Sequence, residues 1–203
     1  PDYSSAASDV YKRQISQWNT SNVTDVGRMF QGAESFEGDI SNWNTSNVKN
    51  MQAMFLNAKK FNSDISNWNT SNVINMGGMF RNAKMFYKDI SLWNTSNVID
   101  MEDMFNGCEN FDSNISEWIV SNVKIMKLMF SDAKLFKSDI SNWNTSNVVD
   151  MEKMFVKAES FDSDISKWNT SNVINMGGMF SEAHSFQGDI SVSYTHLTLP
   201  TSS

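Results

Sequence analysis

One phrase, repeated every 25 residues, governs what this chain can fold into. Ile15, Ile40, Ile65, Ile90, Ile115, Ile140, Ile165 and Ile190 open successive units. Each of the seven tryptophans, from Trp18 to Trp168, follows one of these isoleucines by three residues. The fourteen phenylalanines occupy only two columns, from Phe30 to Phe180 and from Phe36 to Phe186. A period of this size marks an array in which one supersecondary unit stacks on copies of itself. A single unit cannot hide its Ile, Trp, Met and Phe, whereas neighbouring copies bury them against one another.

Within the type unit 40–64, Met51, Met54, Phe55 and Ala58 stand at i, i+3, i+4 and i+7, the spacing of one face of a short helix. Asn50 precedes them as an N-cap, in a column that also holds Asp25, Asn75, Asp100, Asp150 and Asn175. The segment 61–66 (FNSDIS) reads as a strand ending near Trp68, and the NTSN stretch after each tryptophan reads as a turn. The expected fold is therefore an α/β repeat solenoid with one short strand and one short helix per 25-residue unit. A right-handed β-solenoid is the alternative. Equivalent strands stacked at about 4.8 Å would make a strip of roughly 30–35 Å, with Ile, Val, Met, Phe and Ala ladders inside and tryptophan along one edge.

The period starts at Ile15 and stops at Ser191. Outside it, Ser4 to Gln14 (SSAASDVYKRQ) and Val192 to Thr201 (VSYTHLTLPT) can be encoded by one oligonucleotide and its reverse complement, as a transposase-type sequencing adapter would be. Residues 1–14 and 192–203 are accordingly read as non-native tails, and 15–191 as a seven-unit internal fragment of a longer protein. Tyr11, Tyr194, His196 and Pro200 leave the list of functional candidates on that ground.

The net charge of −7 argues against a nucleic-acid partner, which would call for clustered Lys and Arg. No run is long and apolar enough for a membrane helix, so attachment to a membrane would need an anchor outside this sequence. The one cysteine, Cys108, replaces the alanine of other units and reads as a small buried side chain. No phosphate loop, dinucleotide fingerprint, paired metal-ligand cysteines or nucleophile elbow is present. His184 falls in a column otherwise filled by Glu, Lys and Cys-flanking Glu109, and reads as exposed; Gly77–Gly78 and Gly177–Gly178 lack a phosphate-loop context. The column Asp39, Asp64, Asp89, Asp139, Asp164 and Asp189, with Asn114 substituting once, reads as turn caps shared with the neighbouring serines, a calcium ladder being the other way to relieve stacked charge. The NTS triplets at Asn19, Asn44, Asn69, Asn94, Asn144 and Asn169 are glycosylation sequons that coincide with the turn motif. No catalytic residue, cofactor or metal site is expected.

The succession NTSNV, M-x-x-MF and F-x-x-DIS-x-W resembles the BspA-type surface-protein repeat, a leucine-rich-repeat-like unit of bacterial and mycoplasma lipoproteins and some protists. The match covers Ile15 to Ser191. The resemblance implies a leucine-rich-repeat-like solenoid, display at the cell surface, and adhesion or protein binding without catalysis.

Repeated residues are committed to folding, so contacts are expected where units differ. One such column holds Lys49, Ile74, Ile99, Lys124, Val149 and Ile174. The unit 115–139 departs most from the others, and Ile119, Val120, Lys124, Ile125, Lys127 and Leu128 form a candidate contact patch of mixed apolar and basic character. The function expected is a binding or adhesion module for a protein or glycan on another cell or matrix. A spacer that projects another domain is the alternative.

Overall fold

The computed structural model describes residues 15–188. Both tails, 1–14 and 192–203, lie outside the described residues, as do Asp189, Ile190 and Ser191. The described chain is a repeat solenoid. One residue per unit forms a parallel bridge to its equivalent in the next, in the unbroken series Asp25, Asn50, Asn75, Asp100, Ile125, Asp150 and Asn175. Among the described residues no helix is long and apolar enough to cross a membrane.

The expected pairing of one helix and one strand per unit does not appear. Helical geometry among the described residues is confined to 15–16, and 61–66 is irregular chain without bridges. Met51, Met54, Phe55 and Ala58 are all fully buried, so the i, i+3, i+4, i+7 spacing does report an inward face. The backbone reaches that face by successive tight turns. Met54 N–H donates to the Met51 carbonyl (3.2 Å), Leu56 to Ala53 (3.2 Å) and Ala58 to Phe55 (2.9 Å). The N–H groups between them point to the following unit: Met51 to Asn75 (2.9 Å), Ala53 to Gly77 (2.8 Å), Phe55 to Met79 (2.8 Å) and Asn57 to Arg81 (2.8 Å). A helix would send each N–H back four residues; here every second donor leaves the unit instead.

Two left-handed residues per unit make this possible. Ala53 (φ 54°) and Asn57 (φ 61°) have counterparts in every unit, namely Arg28 and Gly32, Gly78 and Asn82, Asp103 and Gly107, Leu128 and Asp132, Lys153 and Lys157, and Gly178 and Glu182. The later column is mostly Gly, Asn or Asp, the residues that enter this region at least cost. The β-solenoid alternative fares no better than the helical one, because each unit contributes a single bridge residue rather than a strand.

The core is a set of side-chain columns. Phe55 and Phe61 face each other with centroids 3.7 Å apart, and this pairing recurs in every unit out to Phe180–Phe186 at 4.1 Å. Along the axis, Phe55 lies 5.7 Å from Phe80, which lies 5.6 Å from Phe105. Tryptophans stack at 6.4 Å in the interior, as in Trp43–Trp68–Trp93–Trp118. Their indole N–H groups fix the stack to the rung before. Trp68 Nε1 donates to the buried Ile40 carbonyl (3.1 Å) and Trp93 Nε1 to that of Ile65 (3.1 Å). A bond of this kind contributes about 0.5–1.5 kcal/mol, which explains why this column needs an aromatic ring with a donor.

Polar columns lock the turns. Asn44 Oδ1 accepts the Ser46 N–H (3.0 Å), and Thr45 Oγ1 donates to the Asn69 carbonyl of the next unit (3.0 Å). Asn50 caps, as the sequence suggests, but it caps a turn: its Oδ1 accepts the Gln52 N–H (3.0 Å). Cys108 is buried, its Sγ donating to the Ala83 carbonyl (3.2 Å), and burial pushes its thiol pKa far up.

Candidate binding surface

The residue just before each bridge carries the variable column. Its main chain is committed to its neighbours: Ile74 N–H donates to the Lys49 carbonyl (2.8 Å), Ile99 to Ile74 (2.9 Å) and Lys124 to Ile99 (2.9 Å). Val73 before it and Met76 beyond the bridge residue are fully buried, while the side chain at 74 is exposed. Ile74 is 44% exposed, Ile99 41% and Ile174 82%. Nothing in the fold requires aliphatic residues there, since Lys49 and Lys124 fill the same column.

Alongside runs a wall of asparagines two residues earlier in each unit. Asn72 Nδ2 donates to the Ser46 carbonyl, Asn97 to Ser71 and Asn122 to Ser96, each at 2.7 Å. One N–H of each amide is thereby held, while its oxygen and second N–H face outward. Wall and column together enclose an open groove of about 400 Å³ lined by Lys49, Asn72, Ile74, Asn97, Ile99, Asn122 and Lys124. No carboxylate lines it.

The six residues singled out in the unit 115–139 do not form one patch. Val120 is buried (2% exposed) in the column that holds threonine elsewhere, so it cannot contact a partner. Ile125 sits in the bridge series, half-buried between Asp100 and Asp150. Lys127 Nζ is paired with Glu152 (2.7 Å), and Leu128 is a half-buried left-handed residue (φ 57°). Ile119 is 53% exposed, on the asparagine side of the turn. Lys124 alone of the six lines the groove. The asparagine wall went unread in the sequence because its regularity marks it as structural, and it is structural on one of its two amide edges.

Other chemistry-bearing residues are accounted for by folding. In the Asp column, Asp64 Oδ1 accepts both the Ser66 N–H (3.0 Å) and its hydroxyl (2.7 Å). These bonds hold the Asp64 carboxyl below the usual range, and the same caps lower Asp89, Asp139 and Asp164; in Asp39 the Ser41 hydroxyl leads. Asp189 is outside the described residues. Among the described residues no group of three or more His, Cys, Asp or Glu side chains converges as a metal site. His184 is exposed. Gly77 and Gly78 border a smaller notch of about 150 Å³ beside Asp100 and Glu102, where burial raises the Glu102 pKa and Asp103 and Asp100 raise it further.

Comparison with curated proteins gives no match. Among solved structures, one similar chain is the leucine-rich-repeat ectodomain of the plant membrane receptor kinase GASSHO1/SCHENGEN3 from Arabidopsis thaliana, in complex with CASPARIAN STRIP INTEGRITY FACTOR 2. Identity is 8% and the TM-score 0.28, with 83% of this chain and 26% of that chain covered. This chain thus spans about a quarter of that ectodomain, at a similarity too low to assign either fold or ligand. A family model gives a far fuller match, over residues 2–118 and 105–196. By that match the chain belongs to the family described as Mycoplasma protein of unknown function, DUF285.

Proposed function

We propose that this array is a non-enzymatic binding or adhesion module displayed at the cell surface, contacting a protein or glycan partner through the groove along the variable column. The observation that carries this reading is the exposure of Ile74 and Ile99 in a column whose side chains the fold leaves unconstrained. Aliphatic surface kept in contact with water at successive rungs costs solubility and is retained where something covers it. The resemblance to BspA-type repeats supports surface display and adhesion. Because the main chain of the column is already hydrogen-bonded between rungs, a partner meets side chains and amide edges and does not add a strand.

The test is binding of the purified chain to host cells or extracellular matrix, comparing the wild type with Ile74→Asp/Ile99→Asp. Both positions are exposed, so the substitutions leave the buried columns untouched, and an unchanged tryptophan-fluorescence unfolding midpoint checks that the variant is folded. Loss of binding supports the groove, and undiminished binding of the variant refutes it. A spacer role predicts a different result: deleting two whole units would shorten reach and leave binding by flanking domains intact.

A further inference from the structure

We infer that the groove takes an extended acidic protein segment, with two carboxylates four residues apart and an apolar side chain midway between them. The inference rests on the groove reading above and adds the chemistry of its occupant. Lys49 and Lys124 close the two ends of the groove, with Ile74 and Ile99 between them. Six other lysines, Lys59, Lys84, Lys127, Lys134, Lys137 and Lys153, each lie against a carboxylate of this chain. Lys49 and Lys124 are exposed and carry no such pair among the described residues, and of the lysines without one, which also include Lys60, Lys88, Lys157 and Lys167, they are the two that line the groove. On a chain of net charge −7, two unpaired ammonium groups facing one carboxylate-free groove are a local reversal of sign.

The spacing selects the ligand. Three rungs separate the two lysines, or about 14 Å at roughly 4.8 Å per rung. In an extended peptide, residues i and i+4 are about 13 Å apart and project on the same side, with i+2 on that side between them. Carboxylates at i and i+4 therefore reach both lysines while an apolar i+2 side chain rests on Ile74 and Ile99. The free amide edges of Asn72, Asn97 and Asn122 face the main chain of such a segment. No two acidic residues of this chain stand four apart, so its own copies do not supply the segment.

The probe is a fluorescein-labelled peptide containing Glu-Ser-Leu-Ser-Glu, titrated with the whole chain and followed by anisotropy. Binding that weakens with added salt, and weakens roughly fivefold or more on Lys49→Glu and on Lys124→Glu, is the expected result. Peptides with the glutamates three or five apart, or with leucine moved by one residue, should bind more weakly. The double variant Lys49→Glu/Lys124→Glu should instead prefer a peptide with lysines in place of the glutamates. Equal affinity across the spacing series, or no reversal by the charge swap, overturns the inference, as does a sulfated glycan binding the groove where the peptide does not. If Ile74→Asp/Ile99→Asp abolishes cell or matrix binding while no peptide binds, the acidic segment is wrong and the groove stands.

Discussion

Gly78 gives a direct test of the backbone path, because the two ways of folding its segment give opposite signs for one methyl group. In a helix interior, replacing glycine by alanine stabilises by roughly 1 kcal/mol. In the structure Gly78 has φ +63°, a region where an L-residue costs about 1–2 kcal/mol. Space is not the issue, since an added Cβ would meet nothing closer than the Ala53 Cα and Cβ at 4.0 Å. Against the conformational cost stands the reduced freedom of the unfolded chain, about 0.4–1 kcal/mol in favour of alanine. Gly78→Ala should therefore destabilise by about 0.5–1 kcal/mol. The reverse change in the same column, Ala53→Gly, should be neutral or stabilising by a similar amount, because Ala53 already bears the cost at φ 54°. Urea unfolding followed by tryptophan fluorescence reads both, with the slope checked for constancy so that a midpoint shift reports stability alone. Stabilisation by Gly78→Ala would restore the helix and refute the left-handed turns.

Three further outcomes are expected. Phe80→Ala removes a buried ring stacked on Phe55, Phe86 and Phe105 and should cost about 3–5 kcal/mol, whereas Phe180→Ala, whose ring contacts are Phe155 and Phe186, should cost clearly less in the same urea assay; equal costs would contradict nearest-neighbour stacking. The capping aspartates have folded pKa values below their ordinary ones, so their stabilisation is present above about pH 4 and is lost as pH falls through the lowered values; Asp64→Asn should flatten that acid limb in unfolding midpoints, because Asn114 makes the same cap without charge (3.1 Å to Ser116 N–H). Cys108 should resist an aromatic disulfide reagent in the native chain and react fully in denaturant, and rapid native labelling would show that the rung opens there.

How far the sequence could be read depends on where each residue's partners lie. The invariant apolar columns are in the core at the interior units, with Trp18 and Met29 of the first unit exposed, and the Asp and Asn columns cap the N–H two residues on, because those facts involve side-chain polarity and neighbours within a few residues. The helix at 51–58 fails for a physical reason. Periodicity records which side chains face inward, and a run of tight turns gives Met51, Met54, Phe55 and Ala58 the same phase as a helix would. What separates the two is the acceptor for each N–H, and in the type unit every second one lies 24 residues away. A signal was present in Gly32, Asn57, Asn82, Gly107 and Asp132, a column rich in residues that tolerate positive φ. The binding surface was half legible. The variable column pointed to Lys49, Ile74, Ile99 and Lys124, but local departure from the repeat also pointed to Val120, whose burial depends on its register between two other units.

The hydrogen bonds that leave each unit at a fixed offset also bear on how such a gene can change. Met51 donates to Asn75 and Met126 to Asp150 by the same offset, with different residues at the acceptor. The bond depends on position in the period, and the side chain there is free to vary. Excising or duplicating any 25 consecutive residues in frame would therefore rejoin a donor row to an acceptor row of the same kind. Recombination between units could lengthen or shorten the array, and reorder which variable residues stand side by side in the groove, while keeping the main-chain bonds between rungs. New pairings such as an isoleucine between two lysines would then arise by shuffling whole rungs.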